Sequence, residues 1–499
     1  MITRRSLLST APAILKSQTG RPPNILFCIS DDQSWIHAGA YGSRFVRTPA
    51  FDRVAREGVL FRNAFVSTPS CAPSRASVLT GQDFYRLGPA SMNHTEWQRG
   101  TTTYVDALAA RGYQTGFTGK GWAPGNWQVS GRGVSPCGPA FNKVTLRPPD
   151  PGISATDYAG NFAQFLQAKP ADTPFCFWTG FVEPHRIFGR GAGRRGGGRP
   201  EQVAVPGFLP DTAEVRDDLL DYAHEIQWYD RQLDRMLDLL KQRGELDRTL
   251  VVVTADNGMA FPRAKGNLYE YGVHMPLAVR WGERVKGGRT VDDFVSFPDF
   301  APTFLEACGL SRQASMTGRS LMPLLASANS GQIDPARDHA VFGIERHFPG
   351  SRPKGAGYPS RGIRTKDHLY IRNLTPDRNP VGDHPGPVWP EDDPVGGYGD
   401  SDGGPSKTEL WKSRDQRAAM FAQAFGKRPA EELYDVRSDP FNQRNLAPSP
   451  LLGGLRTKLD AHLKRTGDPR ITGNGAWLDA VMTKYPALSP EVNRAETKR

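Results

Sequence analysis

Two acidic pairs are the residues of this chain whose type and position most clearly indicate chemistry. Asp31-Asp32 follows the apolar run 24–30, and Asp256-Asn257 follows the apolar run 249–254. Each run is typical of a buried parallel strand. Carboxylate and amide oxygens are the ligands that hard divalent cations prefer, so the two pairs predict an oxygen-rich metal site. The alternative for a single acidic pair is a turn or a helix cap.

A cysteine in a helix-starting context is the second such feature. Cys71 opens the run Cys71-Ala72-Pro73-Ser74-Arg75, and proline suits the first turn of a helix. Cys71 is therefore predicted at or just before a helix N-terminus, where free N–H groups and the helix dipole favour an anion. A buried structural cysteine is the alternative. The remaining cysteines match no zinc site and predict no disulfide framework: Cys28, Cys137, Cys176 and Cys308.

Strands and helices alternate around these residues. The predicted strands are residues 24–30, 114–117, 175–181 and 249–254, and the predicted helices are residues 48–55, 101–111 and 213–242. Such alternation is typical of a largely parallel sheet with helices on both faces. Ligands bind beyond the carboxyl ends of such strands. The polar clusters at 31–32, 183–185 and 256–257 all follow a strand, so one site could collect them.

The organisation of the chain changes after about residue 340. Gly, Pro, Arg and Asp dominate residues 346–406, and a final helix is predicted near residues 452–465. We expect a catalytic domain over residues 21–345 and a smaller α+β subdomain over residues 346–499.

Charge and the N-terminus limit the compartment and the partners. The 499 residues carry a formal net charge of +11, which suits a polyanion such as nucleic acid or a sulfated polysaccharide, but no nucleic-acid motif accompanies it. No apolar run reaches the length of a membrane span. Residues 1–20, with Arg4-Arg5 before a weakly apolar stretch, resemble a twin-arginine export signal. We therefore expect a periplasmic protein.

The cysteine run resembles the C-x-P-S-R signature of the type I sulfatases. The two acidic pairs resemble that family's metal motifs, and residues 112–120 match its G-Y-x-T-G-x-x-G-K. In this family a formylglycine-generating maturation enzyme oxidises the cysteine, and the hydrated aldehyde is the nucleophile. The resemblance implies an alkaline-phosphatase/sulfatase-like α/β fold, with a large, mostly parallel sheet flanked by helices.

The same resemblance implies a role for each site residue. It implies that the metal is Ca²⁺ in preference to Mg²⁺. The residues that would hold it are Asp31, Asp32, Cys71, Asp256 and Asn257. Those implied to act on the substrate are Arg75, which orients the aldehyde, Lys120 and Lys265, which contact sulfate, and His185, which protonates the leaving group.

Within the family, several stretches look like the heparan N-sulfatases. They are D-N-G-M-A-F-P at 256–262, N-L-Y at 267–269 and E-P-H-R at 183–186. The expected substrate is sulfated glucosamine of heparin-type or heparan-type saccharides, with N-sulfate favoured, and an O-sulfatase on another glycan is the alternative. Glu345, Arg346 and His347 are the expected sugar contacts, with a surface ion-pair cluster as the alternative.

One departure from the family pattern follows Lys120. The family continues G-K-W-H or G-K-x-H, with a histidine that helps to activate residue 71. This chain reads Lys120-Gly121-Trp122-Ala123, with Trp122 two residues after the lysine and no histidine. Either His94 or a water replaces this histidine, or turnover is altered, so a catalytically impaired glycan-binding relative is an alternative. A phosphoesterase on the same fold is a further alternative. It would require Ser or Thr as nucleophile and His-rich zinc ligands, and neither is evident in the sequence.

Overall fold

The computed structural model describes residues 20–473 and 475–485. The helices there are α1 (Pro49–Glu57), α2 (Cys71–Thr80), α3 (Tyr104–Ala110), α4 (Tyr158–Ala168), α5 (Ala192–Arg195), α6 (Ala213–Gln242), α7 (Glu270–Val273), α8 (Phe300–Ala307), α9 (Met322–Ala326), α10 (Pro405–Lys412), α11 (Ala418–Phe425), α12 (Leu452–Thr466) and α13 (Ala476–Lys484). The strands are β1 (Asn24–Ser30), β2 (Val59–Phe65), β3 (Thr95–Glu96), β4 (Gln114–Gly119), β5 (Gly125–Asn126), β6 (Phe175–Gly180), β7 (Thr249–Ala255), β8 (His274–Met275), β9 (Leu277–Arg280), β10 (Arg289–Ser296), β11 (His339–Ile344), β12 (Ser360–Thr365), β13 (His368–Asn373) and β14 (Glu431–Asp435).

An eight-stranded sheet forms the centre of the molecule. Its order is β10-β2-β9-β7-β1-β6-β4, with β8 paired to β2. The strands β7, β1, β6 and β4 are parallel to one another, and β10 is parallel to β2. Only β9 and β8 run antiparallel to their neighbours in this sheet. The expected large, mostly parallel sheet is confirmed.

Helices cover both faces of this sheet, which explains why its central strands are apolar at successive positions. Every residue of β1, β6 and β7 is buried, as in parallel sheets with two covered faces. Along β1, Ile25 and Phe27 join the core that includes α2, α3 and α8, whereas Leu26 joins the core that includes α1, α4 and α6. The alternation places the two helical layers on opposite faces.

A second, antiparallel sheet has the order β11-β12-β13-β14. Helix α12 packs on it through Leu459 and Leu463, which share a core with Ile363 and Tyr370. The expected smaller C-terminal α+β part is confirmed. Because β11 ends at Ile344, this sheet begins before the predicted boundary at 345, and the division of the chain into two domains stays a prediction.

The other predicted elements are present, with one shorter than expected. The helix predicted over 101–111 is α3, which begins only at Tyr104. Thr103 precedes it and forms a capping box with Asp106, which fixes the first turn at that point. The predicted export signal lies in residues 1–20, of which 1–19 are outside the described residues. Over the described ranges, no helix combines the length and the apolar character needed to cross a membrane.

Candidate active site

The carboxyl ends of four parallel strands bring the predicted site residues together. They lead into Asp31-Asp32 after β1, Asp256-Asn257 after β7, Lys120 after β4 and residues 181–185 after β6. Ser30 pairs with Ala255 and Ile29 with Gly180, so the strand ends are level. The site therefore lies where ligands bind on parallel sheets.

Helix α2 carries Cys71, the predicted nucleophile, to the same place. It begins at Cys71, as predicted, and is buried along its whole length. Ser70 does not cap it through its side chain, because that hydroxyl lies 2.8 Å from Nδ1 of His347. Instead, Oδ1 of Asn93 accepts a hydrogen bond from the N–H of Ala72 (2.9 Å). The expectation of free N–H groups at this helix end is therefore wrong for Ala72, although the helix dipole remains.

Carboxylates surround the thiol of Cys71. Its Sγ lies 3.4 Å from Oδ1 of Asp31 and 3.9 Å from Oδ1 of Asp32. Burial, together with the negative charge of Asp31, raises the pKa of this thiol well above its usual value. The unmodified residue therefore stays protonated and is a poor nucleophile. A cysteine with a purely structural role would be expected among apolar groups, so these neighbours favour a chemical role.

Arg75 lies one turn further along α2, fully buried beneath the site. Its Nε donates to Oδ2 of Asp256 (2.7 Å), and its NH1 donates to the carbonyl of Lys120 (2.7 Å). Its NH2 has no hydrogen-bond partner among the described residues and lies 3.9 Å from Oδ2 of Asp31. A buried donor without a partner is costly, so NH2 is available to a ligand or to an oxygen on residue 71.

Asp31 and Asp32 are each paired with a different lysine. The ammonium of Lys120 pairs with Oδ2 of Asp31, and the ammonium of Lys265 lies 2.7 Å from Oδ2 of Asp32. Both lysines are buried. Buried cations attract the oxygens of a sulfate more strongly than exposed ones, because water screens them less.

Lys265 is also the centre of a second group of residues. Its Nζ lies 3.2 Å from Nε2 of His185 and 2.9 Å from Oδ2 of Asp402. Nδ1 of His185 lies 2.6 Å from the carbonyl of Arg186, and because a carbonyl can only accept, Nδ1 carries a proton. Asp32, His185 and Asp402 have the ligand spacing of a metal site, but the ammonium of Lys265 already bonds to all three.

A divalent cation fits the first group of carboxylates. Ligand atoms of Asp31, Asp32, Cys71 and Asp256 all lie within 4.8 Å of one another. Asn257 donates through Nδ2 to Asp32 (2.7 Å), while its Oδ1 is buried and has no hydrogen-bond partner among the described residues. An orphaned amide oxygen beside three carboxylates is a donor set for Ca²⁺ or Mg²⁺.

The pKa values of the carboxylates show that several negative charges lie close together. Burial raises the pKa of Asp32 to about 8, and the charges of Asp31, Asp402 and Asp256 add to the rise against the opposing charge of Lys265. Burial would also raise the pKa of Asp31, but Lys120, His185 and Arg75 outweigh it and hold that pKa well below its usual range. The protein's own cations therefore do not neutralise all of the carboxylates, which leaves room for a further positive charge.

The three predicted sugar contacts lie in different surroundings. His347 lies against Ser70, next to the nucleophile position. Glu345 is buried away from the cluster, in ion pairs with Arg361 (2.7 Å) and Arg470 (2.6 Å). Arg346 donates through NH1 to three backbone carbonyls, those of Gly355, Met482 and Tyr485. All three residues nevertheless line one pocket with Gly266 and Asn267, which follow Lys265, so their role as sugar contacts stays a prediction.

The segment that lacks the family histidine runs beside His94. The N–H of His94 donates to the carbonyl of Pro124 (3.0 Å), so His94 lies beside the segment that follows Trp122. It is 8 % exposed, has a left-handed φ of 57°, and its Nδ1 has no hydrogen-bond partner among the described residues. Burial lowers the pKa of His94 well below its usual value, and the positive charges of His347 and Arg346 lower it further.

Three residues of the site have no signal in the sequence. Asn93 caps α2, Asp402 holds Lys265, and the ring of Trp389 lies 5.2 Å from that of His185. Asp402 and Trp389 come from a Gly/Pro/Asp-rich stretch in which no residue stands out. Their proximity to Lys265, across 137 positions of sequence in the case of Asp402, is visible only in the fold.

Comparisons with known proteins agree with this geometry. The family model described as sulfatase matches residues 23–310, and the model described as "N-sulphoglucosamine sulphohydrolase, C-terminal" matches residues 263–374. The N-sulphoglucosamine sulphohydrolase of Homo sapiens is 29 % identical in an alignment 500 residues long, which covers 90 % of this chain and 92 % of the relative. An ulvan-active sulfatase of Formosa agariphila is 27 % identical in an alignment 503 residues long, which covers 99 % of this chain and 87 % of that relative.

A solved structure shares the fold. It is described as a complex of a protein with its substrate D-glucosamine-2-N,6-O-disulfate, and it superposes with a TM-score of 0.63 at 19 % sequence identity. The match covers 90 % of this chain and 99 % of the other.

Proposed function

Because the chain belongs to the sulfatase family, we propose that it removes sulfate from sulfated glucosamine of heparin-type or heparan-type saccharides, with N-sulfate preferred. We further propose that Cys71 is converted to formylglycine and that the site holds Ca²⁺, with Mg²⁺ as the less favoured ion. The expectation of a sulfatase stands on the family match, and the sugar and the position of its sulfate are the proposal.

The observation that carries the mechanism is the set of groups around Cys71. Three carboxylates lie within 4.8 Å of the thiol and of one another. Two of them contact residues with a buried atom that is unpartnered within the described part of the chain, Asp32 with Asn257 and Asp31 with Arg75. This donor set suits an oxygen nucleophile and a hard cation better than a thiol. The Sγ of Cys71 stands here for the oxygen that oxidation would place on residue 71.

Two groups that the proposal requires are supplied by modification and by binding. A hydrated aldehyde at position 71 supplies one hydroxyl as nucleophile and a second hydroxyl through which sulfate is released. A divalent cation held by Asp31, Asp32, Asp256 and Asn257 supplies a Lewis acid that draws electrons from a sulfate oxygen.

The residues of the chain orient the substrate and move protons. Lys120 and Lys265 bind sulfate oxygens as fixed point charges, and NH2 of Arg75 donates to a hydroxyl of residue 71. His185 donates a proton to the leaving nitrogen or oxygen through Nε2 in its doubly protonated form, because the neutral form carries its proton on Nδ1 and accepts at Nε2 from Lys265. Tight confinement by α2 and the strand ends excludes water from the sulfate, which strengthens these electrostatic contacts.

We propose that His94 replaces the family histidine, whose position is occupied by Trp122 in this chain. The support is its place beside the carbonyl of Pro124 and its buried, unpartnered Nδ1. A neutral imidazole can accept the proton that leaves residue 71 when sulfate is released.

The preference for N-sulfate is supported by two findings. The C-terminal family model that matches is that of N-sulphoglucosamine sulphohydrolase, and the human relative of that name aligns along almost the whole chain. The ulvan-active sulfatase, which aligns over 99 % of the chain, supports an O-sulfatase on another glycan as the second candidate. Export to a periplasm by residues 1–20 is part of the proposal, because the substrate is an extracellular polysaccharide.

The test uses protein produced with and without a formylglycine-generating enzyme. We expect sulfate release from N-sulfoglucosamine only by the co-produced protein, and mass spectrometry of the peptide containing residue 71 should show its –CH2–SH side chain converted to an aldehyde, –CHO, with loss of sulfur and two hydrogens and gain of one oxygen. The Cys71→Ala variant should keep the circular dichroism spectrum and lose sulfate release to the detection limit. Undiminished activity of Cys71→Ala would contradict the mechanism.

A further inference from the structure

The C-terminal part carries a long segment that reaches the catalytic cluster at two points. Residues 375–404, here called the strap, contain no helix and no strand. The strap begins directly after the region matched by the C-terminal family model, which ends at residue 374. Its two points of contact are Trp389, beside His185, and Asp402, bonded to Lys265.

Buried ion pairs fix the strap to the body of the protein. Asp400 is paired with Arg352 (2.7 Å) and accepts from the N–H of Phe348 (2.8 Å). Asp393 is paired with Lys407 (2.8 Å), and neither side chain is exposed. Because buried pairs are costly to separate, the strap presents its side chains to the site in a preorganised position.

Trp389 offers a partly exposed aromatic surface beside His185. It is half-buried, and its ring lies edge-on to that of His185 with centroids 5.2 Å apart. Its carbonyl accepts a hydrogen bond from the N–H of Gly403 (2.8 Å), which ties it to the residue after Asp402. The indole and the carboxylate therefore form one unit beside the group that protonates the leaving atom.

Asp402 offers a second hydrogen-bond acceptor beside Lys265. Its Oδ2 accepts from Lys265 (2.9 Å), which leaves Oδ1 as the other acceptor atom of this carboxylate. A carboxylate repels sulfate, so the group that binds Oδ1 must be a donor. A hydroxyl or an N–H of a sugar is such a donor, and the C–H face of a pyranose is an apolar surface that suits an aromatic ring.

We propose that Trp389 and Asp402 form a saccharide subsite that binds the pyranose ring carrying the sulfate. The ring packs on the indole and donates a hydrogen bond to Oδ1 of Asp402, while its sulfate points towards Lys120 and Lys265. This inference rests on the proposed function for the class of sugar. Its specificity comes from the strap, which recognises the sugar separately from the sulfate.

The test measures binding without turnover, in the full chain with Cys71→Ala and Ca²⁺ present. The probes are N-sulfoglucosamine and inorganic sulfate, each followed by calorimetry. Trp389→Ala should lower the affinity for N-sulfoglucosamine by about tenfold or more, as loss of an aromatic anchor does. It should lower the affinity for inorganic sulfate by less than about threefold. Trp389→Phe should restore most of the sugar affinity, and Trp228→Ala, at a half-buried tryptophan of α6, should change neither probe.

Asp402→Asn gives a prediction of opposite sign for the two probes. It should lower the affinity for N-sulfoglucosamine by about tenfold, because a hydrogen bond to a charged acceptor contributes that much. It should raise the affinity for inorganic sulfate, because a repelling charge beside Lys265 is removed. An unchanged sugar affinity in both variants, equal losses for the two probes, or no sugar binding by the Cys71→Ala chain would overturn the proposal. Sugar binding with these effects, but no sulfate release by the converted enzyme, would overturn the proposed function alone.

Discussion

At the scale of the residue, the site depends on polar atoms that the protein itself leaves without partners. Oδ1 of Asn257, NH2 of Arg75 and Nδ1 of His94 are all buried without a hydrogen-bond partner among the described residues. Each would be costly in a site with no ligand. The proposed cation, oxidised residue 71 and proton transfer would each supply a partner for one of these atoms.

The cation site gives the first prediction at this scale. Asn257→Ala removes the orphaned oxygen, and we expect Ca²⁺ affinity to fall by about tenfold or more. Calorimetric titration of Ca²⁺ into the purified protein measures this effect directly. Asn257→Asp, which keeps an oxygen at that position, is the matched control and should bind more tightly than Asn257→Ala. Equal affinity of wild type and Asn257→Ala would show that Asn257 is not a ligand.

The role of His94 gives the second prediction. His94→Gln should lower kcat by about 100-fold or more, the usual contribution of a positioned base. Adding Trp122→His to that variant places a histidine at the family position, two residues after Lys120, and should recover part of the lost kcat. Steady-state kinetics with N-sulfoglucosamine measures both variants. If His94→Gln keeps its kcat, a water or another group takes the proton.

Residues of the site could be predicted from the sequence where a short motif contains them. Cys71, Asp31 and Asp256 lie in motifs of a few residues, each at the end of a strand or the start of a helix. Asp402 and Trp389 do not, because their role depends on a long segment folding back onto the site. Glu345 was expected at the sugar, but its charge is used inside the C-terminal part, and local sequence gives no sign of that.

At the scale of the element, ion pairs connect the second sheet to the first. Glu270 at the start of α7 pairs with Arg364 of β12 and lies 3.2 Å from Nδ1 of His274 in β8. Burial would raise the pKa of Glu270, but Arg364 and His274 outweigh it and lower that pKa to about 2. The carboxylate is therefore a stabilising contact between the sheets.

This contact predicts a specific acid dependence of stability. Because the folded pKa lies below the ordinary value of 4.5, the contribution of Glu270 is fully present above that value and is lost as the pH falls towards about 2. Glu270→Gln should lower the free energy of unfolding at neutral pH by about 3 kcal/mol or more, since it leaves Arg364 buried without its partner. The variant should also lose less stability than wild type on acidification.

Urea unfolding at a series of pH values measures both effects. Glu306→Gln, at an exposed position of α8, is the control and should follow the wild type. Parallel pH profiles of wild type and Glu270→Gln would contradict the assignment.

The elements of the large sheet could be predicted, and those of the small sheet mostly could not. Strands such as β1 and β7 are apolar at nearly every position because both faces are covered. Strand β12 instead carries Arg361 and Arg364, which read as surface residues. Both are buried, and Arg361 pairs with Glu345 and Asp468, so charge pairing replaces the hydrophobic pattern on which strand prediction depends.

At the scale of the whole molecule, the two sheets are mutually dependent. The strand β11 precedes the predicted boundary at 345 but pairs only with β12 in the described part of the chain. The strap reaches the site from beyond that boundary. Neither part is therefore expected to be complete without the other.

This dependence predicts the behaviour of a truncated chain. Residues 21–345 produced alone should be aggregation-prone, because β11 becomes an unpaired edge strand and Glu270 loses Arg364. Size-exclusion chromatography and limited proteolysis, with the full chain as the control, measure this outcome. A monomeric, protease-resistant fragment would show that the first part folds independently.

The central claim is tested most directly by one reaction. The protein converted at Cys71 is incubated with Ca²⁺ and D-glucosamine-2-N,6-O-disulfate, and the desulfated product is identified by NMR. We expect the N-sulfate to leave and a free amine to appear, with the 6-O-sulfate retained. Loss of the 6-O-sulfate alone would contradict the N-sulfate preference, and no sulfate release by converted protein would contradict the proposed function as a whole.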